Sequence, residues 1–188
     1  MSANQSPPDL GLAMRVAAPE DIPAMTALIE RSAWGLSIKY YEPEQVEAAL
    51  KGAWGVDTQL VKDGTYFVCA RGETMVGCGG WSYRETLFGA DAYADRDPRI
   101  LDPKTEAAKI RAFFVDPDHA RLGAGKAILR HCEDAARREG YSRFELMATL
   151  SGVDFYRRHG YRGETRRTFP LPGGVDIDFI PMQKSDAD

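Results

Sequence analysis

The chain has 188 residues, 44% hydrophobic and 28% charged, a balance that fills one good core and is short for two. A formal net charge of −4 argues against general attraction to nucleic acid or to anionic membrane surfaces. No apolar run approaches the roughly 20 residues of a membrane span, and no charged segment leads into an apolar one at the N-terminus, so a cytoplasmic protein is expected.

Residues 1–12, with Ser6, Pro7 and Pro8 and no periodicity, are expected to be a flexible tail ahead of a single domain over 13–184, with 185–188 a short C-terminal tail. Ile22, Met25, Leu28 and Ile29 recur at helical spacing, with Glu20 or Asp21 placed to complement the helix start. A second helix is predicted from Pro43, with Val46, Ala49 and Leu50 on one face. Residues 65–71 and 74–83 read as antiparallel strands joined by Gly72 and Glu73, a turn whose first central residue needs positive φ. Regular signal fades over 84–104, a stretch long enough to be a functional flap or a tolerated insertion.

A central strand is predicted over 108–115, followed by a helix from near Gly123 that carries Ile128, Cys132, Ala135 and Ala136 inward and Glu133, Arg137, Arg138 and Glu139 outward. Gly140 fits its C-terminal cap. A strand at 144–148 and two more within 163–170 and 175–183 complete the chain. In the central strand a period of two puts Lys109, Arg111, Phe113 and Val115 on one face and Ile110, Ala112 and Phe114 on the other. Cys69, Cys78 and Cys132 form no Cys-x-x-Cys pair and read as buried apolar residues; His119, His131 and His159 have no ligand spacing and read as surface, so no metal is expected.

The most telling stretch follows the central strand: Arg121-Leu122-Gly123-Ala124-Gly125-Lys126 puts glycines at a helix start, where unpaired N–H groups and the dipole favour an anion and absent Cβ atoms admit it. A phosphate-binding P-loop is excluded because Ala120 and Ala127 stand where Gly and Ser or Thr are required. A dinucleotide fingerprint is excluded because Ile128 occupies its third glycine position. Consecutive amides wrapping a pyrophosphate fit the spacing better.

With this loop, the opening Met14-Arg15-Val16-Ala17-Ala18-Pro19-Glu20-Asp21-Ile22 and the late Phe155-Tyr156-Arg157-Arg158-His159-Gly160-Tyr161, the chain resembles the GNAT superfamily of N-acetyltransferases over residues 14–184. It departs at Ala120, where the family usually has Gln or Arg; Arg121 stands one step later. The resemblance implies an α/β (α+β) fold, with a mixed, mostly antiparallel central sheet flanked by helices, and acetyl-CoA as cosubstrate. It further implies that main-chain groups of Phe113, Phe114 and Val115 pair with the pantetheine arm, that Arg121, Leu122, Gly123, Ala124, Gly125 and Lys126 hold the pyrophosphate, and that Ser151 bonds the cofactor, although Ser151 also suits a helix N-cap.

Amide formation needs a neutral amine, a donor for the oxyanion and a proton for the leaving thiolate. Tyr156 is the candidate acid, because a phenol keeps its proton at pH 7. No carboxylate lies on the central strand, so the base is open between a water chain and a flap carboxylate such as Asp102 or Glu106. Trp34, Tyr40, Tyr41, Trp81 and Tyr83 are candidates to line the acceptor pocket. Arg111 reads either as an anion clamp or as the partner of Glu145. The expected partner is a small-molecule amine, with neither nucleic acid nor membrane; a homodimer stays open. The competing function is a coenzyme A binding sensor or assembly module without turnover.

Overall fold

The computed structural model describes residues 11–86 and 99–187. In chain order these form β1 (Leu12–Val16), α1 (Ile22–Ser32), α2 (Pro43–Leu50), α3 (Thr58–Lys62), β2 (Tyr66–Arg71), β3 (Thr74–Ser82), β4 (Ala108–Val115), α4 (Ala124–Arg138), β5 (Arg143–Thr149), α5 (Val153–Arg158), β6 (Arg167–Leu171) and β7 (Val175–Ser185). The strands make one sheet in the order β1-β2-β3-β4-β5-β7-β6. Neighbours run antiparallel except β4 and β5, which are parallel. This is the mixed, mostly antiparallel sheet expected. No helix among the described residues is long and apolar enough to cross a membrane.

Local chemistry explains the helix starts. Pro43 opens α2, and its fixed φ suits the first helical position. The Gln45 carboxamide accepts from the Glu42 N–H at 2.9 Å. Asp57 caps α3 by accepting from the Gln59 N–H at 3.1 Å. Gly72 takes φ +59 in the β2–β3 turn, and Gly140 takes φ +92 just after α4, conformations that a Cβ would strain.

Helices cover both faces of the sheet. α4 and α5 bury Ile128, Leu129, Cys132, Val153 and Tyr156 on one side, against Ile110 of β4 and Leu146 of β5. On the other, α1 and α3 bury Met25, Leu28, Ile29 and Leu60 against Tyr66 and Val68, while α2 packs Val46 and Ala49 against Ile177 and Phe179 of β7. The three cysteines are free and buried, as apolar residues.

Five expectations are corrected. Leu12, assigned to the tail, pairs with Arg71 in β1. At the other end β7 runs through Ser185, and Asp186 accepts two bonds from Arg137 at 2.7 and 2.8 Å. Glu133, expected outside, is buried, because Lys184 and the Tyr161 hydroxyl, at 2.8 and 3.0 Å, compensate its charge from β7 and the segment after α5. His131 is half-buried, its ring edge-on to Phe67 at 4.5 Å.

The fifth correction concerns β4. Cys78 pairs with Phe114 and Gly80 with Arg111, so Ala112 and Phe113 stand together opposite Gly79. Ala112 absorbs the extra residue with φ +48, a conformation that costs a non-glycine residue roughly 1–2 kcal/mol. The bulge resets the alternation. Phe113 and Val115 join Ile110 on the α4 side, whereas Ala112 and Phe114 pack toward α1 and α3. Arg111 pairs with Asp57 at 2.8 Å, both side chains sealed from solvent at 3% and 0% exposure, while Glu145 takes Lys109 at 2.7 Å. Neither reading of Arg111 survives: the guanidinium is neither offered to a ligand nor bound to Glu145.

Removing one partner of a buried pair leaves the other charge under-compensated. Asp57→Ala should therefore cost about 3–5 kcal/mol in a urea unfolding titration. A loss below about 1 kcal/mol would show that Arg111 finds solvent or another partner.

Candidate cosubstrate and catalytic site

β4 and β5 pair through Ala108 with Phe144 and Lys109 with Glu145 and, among the described residues, no further. β5 stays in register with β7 along its whole length, and β4 stays with β3 across the bulge, so the two strands part as they run on to Thr149 and Val115. A wedge opens in the middle of the sheet. Its walls are main chain from Ile110 to Val115 and from Leu146 to Thr149, in reach of any extended ligand that pairs like a strand.

The glycine loop stands at the open end of β4. Asp116 accepts from the Asp118 N–H at 3.0 Å and starts the short turn at Pro117–His119. Arg121 and Gly123 then take φ +65 and +91, on either side of Leu122, before α4 begins at Ala124. The Ala127 N–H donates to the Gly123 carbonyl at 3.0 Å, so the amides ahead of it have the open donor positions of a helix start. Left-handed residues beside such a start make a concave, anion-favouring nest, and Arg121 and Lys126 add exposed cations. A cleft of about 490 Å³ flanks the loop on the side of Arg71 and Val76. Gly125 also has a packing role. A Cβ there would lie 3.3 Å from the Phe155 ring, so its lack of side chain seats α5 against α4.

α5 forms one wall. Tyr156 packs against Phe113 and Phe155, with ring centroids 6.0 and 5.1 Å away, and is 8% exposed. Burial pushes its phenol above the ordinary tyrosine range, with Cys132 adding to the effect. Phe113 reaches this wall only because of the bulge. At the end of β5, the Ser151 hydroxyl lies 3.0 Å from Thr149 Oγ1 and 3.4 Å from Ser37 Oγ, and Gly152 is the N-cap of α5, so Ser151 does not cap that helix.

The residues expected to line an acceptor pocket do not come together. Tyr41 is buried with Trp54, its hydroxyl donating to the Asp178 carbonyl at 2.7 Å and accepting from the Leu150 N–H at 2.8 Å. Trp81 is buried on the opposite face, against Tyr83 and Tyr141. The sheet itself separates them. Tyr83 is half-buried, and Trp34 and Tyr40, exposed at 38% and 52%, lie on and just after a single π-helical turn at Ala33–Ser37. That turn touches both lips of the wedge: a Cβ at Gly35 would collide with the Pro117 ring, and Ser37 meets Ser151.

The flap carboxylates are also misplaced for a base. Glu106 binds Arg99 at 2.8 and 3.0 Å, and Asp102 accepts from the Lys104 N–H. Both precede β4 at the closed end, and even Glu106, the nearer in sequence, is roughly 23 Å from Phe113 along an extended chain. The flap's roots, where the Leu101 N–H donates to the Tyr83 carbonyl, lie at that end too; its residues 87–98 lie outside the described residues.

The sequence profile described as the acetyltransferase (GNAT) family matches residues 28–161. The chain belongs to the GNAT acetyltransferase family. It is 28% identical over 154 residues to the uncharacterized N-acetyltransferase YjcF of Bacillus subtilis, covering 80% of this chain and 94% of that protein. Among solved structures it resembles a GCN5-related N-acetyltransferase from Rhodopseudomonas palustris, with TM-score 0.68, 20% identity, and coverage of 92% and 94% of the two chains. It also resembles the PaiA N-acetyltransferase of Thermoplasma acidophilum, solved with coenzyme A, with TM-score 0.62, 15% identity, and coverage of 93% and 98%.

Several supports of this GNAT acetyltransferase's site escaped the sequence reading. Asp116 could have been recognised as a cap, since Asp then Pro is a helix-start pattern. Its pairing with Arg31 at 2.9 Å could not, because the two lie far apart in sequence. Ser37 carried no signal of its own. Burial by itself would push the Asp116 carboxyl up, but Arg31, His119 and the Asp118 N–H together hold it below the usual carboxylate range.

A lowered carboxyl pKa stabilises the fold above the unfolded value near 4 and is lost as pH falls through the folded value. Asp116→Asn should therefore melt lower than the parent at pH 7, and the gap should close as pH falls through the lowered folded value. A gap that persists in acid would assign the loss to packing instead of charge.

Proposed function

We propose that this acetyltransferase moves the acetyl group of acetyl-CoA to the amine of a small molecule by direct attack in a ternary complex. The observation that carries the reading is the parting of β4 and β5, with the glycine loop at one lip and Tyr156 in the adjoining wall. An extended pantetheine arm can pair with main chain at Phe113, Phe114 and Val115, while residues 121–126 hold the pyrophosphate and Ser151 bonds polar groups of the cofactor. The coenzyme A bound to the Thermoplasma protein supports the same cosubstrate here.

The chemistry then follows from the groups in reach. The neutral amine attacks the thioester carbonyl carbon, forming the C–N bond. As the C–S bond breaks, the Tyr156 hydroxyl donates its proton to the departing sulfur. The product nitrogen releases a proton to water, and the phenolate regains one. A phenol lifted by burial keeps its proton across the working range, which suits an acid and rules it out as the resting base. For the acceptor, the turn at Ala33–Ser37 adjoins both lips and offers the exposed aromatic surface of Trp34, with Tyr40 beyond. This favours an amine with an apolar body.

Tyr156→Phe should leave acetyl-CoA affinity nearly unchanged and lower kcat by about 10²- to 10⁴-fold. In the parent enzyme kcat should rise as the amine deprotonates and show no acid-loss limb below about pH 10; an earlier fall would remove Tyr156 as the acid. Acetyl-CoA and CoA should each raise the melting midpoint by several degrees at a hundredfold excess over Kd, and NAD and ATP far less. A larger response to NAD or ATP would overturn the cosubstrate assignment.

A further inference from the structure

The wedge depends on β4 keeping an extra residue, and the strand does so at a conformation that Ala112 disfavours. Something must hold it there. Tyr66, on β2, is fully buried, and its side chain crosses β3 to donate from its hydroxyl to the Ala112 carbonyl at 2.9 Å. It passes Cys78 on the way, with oxygen and sulfur 3.6 Å apart. Where the β3–β4 register shifts, the carbonyl of half-buried Ala112 is met by a phenol two strands away. Burial keeps that phenol protonated and hence a donor.

We propose that Tyr66 is a positioning residue for acetyl-CoA: its hydroxyl latches the Ala112 bulge and thereby fixes the β4 main chain that the cosubstrate pairs with. The inference rests on the proposed pairing of acetyl-CoA with Phe113, Phe114 and Val115. Without the latch, Ala112 relaxes toward an ordinary extended conformation. The extra residue then slips along the strand, and every side chain beyond it changes face. Phe113 would leave Tyr156, and the amides lining the wedge would lose their orientation. Tyr66 touches no substrate and acts only through the backbone of β4.

Three variants test this. Tyr66→Phe keeps the ring and should weaken acetyl-CoA binding about tenfold, the scale of one buried hydrogen bond, while hydrogen exchange quickens at the amides of Phe113, Phe114 and Val115. Adding Ala112→Gly makes the bulge conformation intrinsically acceptable and should restore most of the affinity. Cys78→Ala, a packing control beside the same ring, should lower the melting midpoint and leave acetyl-CoA affinity within about twofold. The latch is overturned if Tyr66→Phe binds like the parent, if Ala112→Gly fails to restore binding, or if Tyr66→Phe does not fold, which would make Tyr66 a core residue alone. A parent protein with no acetyl-CoA response would instead sink the cosubstrate reading, so the two failures are distinguishable.

Discussion

A parallel pair of strands that separates in the middle of a sheet leaves backbone donors and acceptors with no ladder to join, an arrangement a fold tolerates only where water or a ligand takes them up. Here β4 and β5 separate after Lys109 and Glu145, and each is held away from the other by a full antiparallel partner. Everything else in the site is arranged around that opening. The bulge at Ala112 turns Phe113 toward α5, and Gly125 lets the Phe155 ring close onto α4, so the wedge has an aromatic wall despite its missing ladder.

Across the same face, a buried polar network ties the two halves of the sheet. Glu133 of α4 binds Lys184 of β7 and the Tyr161 hydroxyl, and Arg137 links it to Asp186 beyond β7. Buried charges of this kind add little net stability, but they specify geometry when every member is satisfied. The Tyr161 ring packs 5.7 Å from Tyr156, so the network reaches the candidate acid through one aromatic contact. Burial raises both phenols, Tyr161 also through its bond to Glu133.

On the opposite face, the glycine loop and the π-helical turn share a support. Asp116 ends β4, caps the following turn and pairs with Arg31 at the end of α1, while Gly35 seats the π-helical turn against Pro117. These contacts tie the glycine loop to the turn that carries Trp34.

The sequence alone determined what depends on local pattern. Hydrophobic period and helix-start chemistry located α1, α2, α4 and the strands from β2 onward, and the glycine spacing excluded two nucleotide motifs and located the loop. Tyr156 was named by the motif around it. What it could not determine was anything set between distant segments. A period of two assumes an unbroken strand, and the residue that breaks β4 is an alanine, which carries no bulge signal; its conformation is held by a tyrosine two strands away. Glu133 and Arg111 read as exposed or ligand-facing because their compensating charges, Lys184 and Asp57, are remote in sequence. Tyr41 and Trp81 looked like partners for one pocket until the sheet put its thickness between them. Burial and pairing belong to the assembled core, and only the tertiary structure decided them.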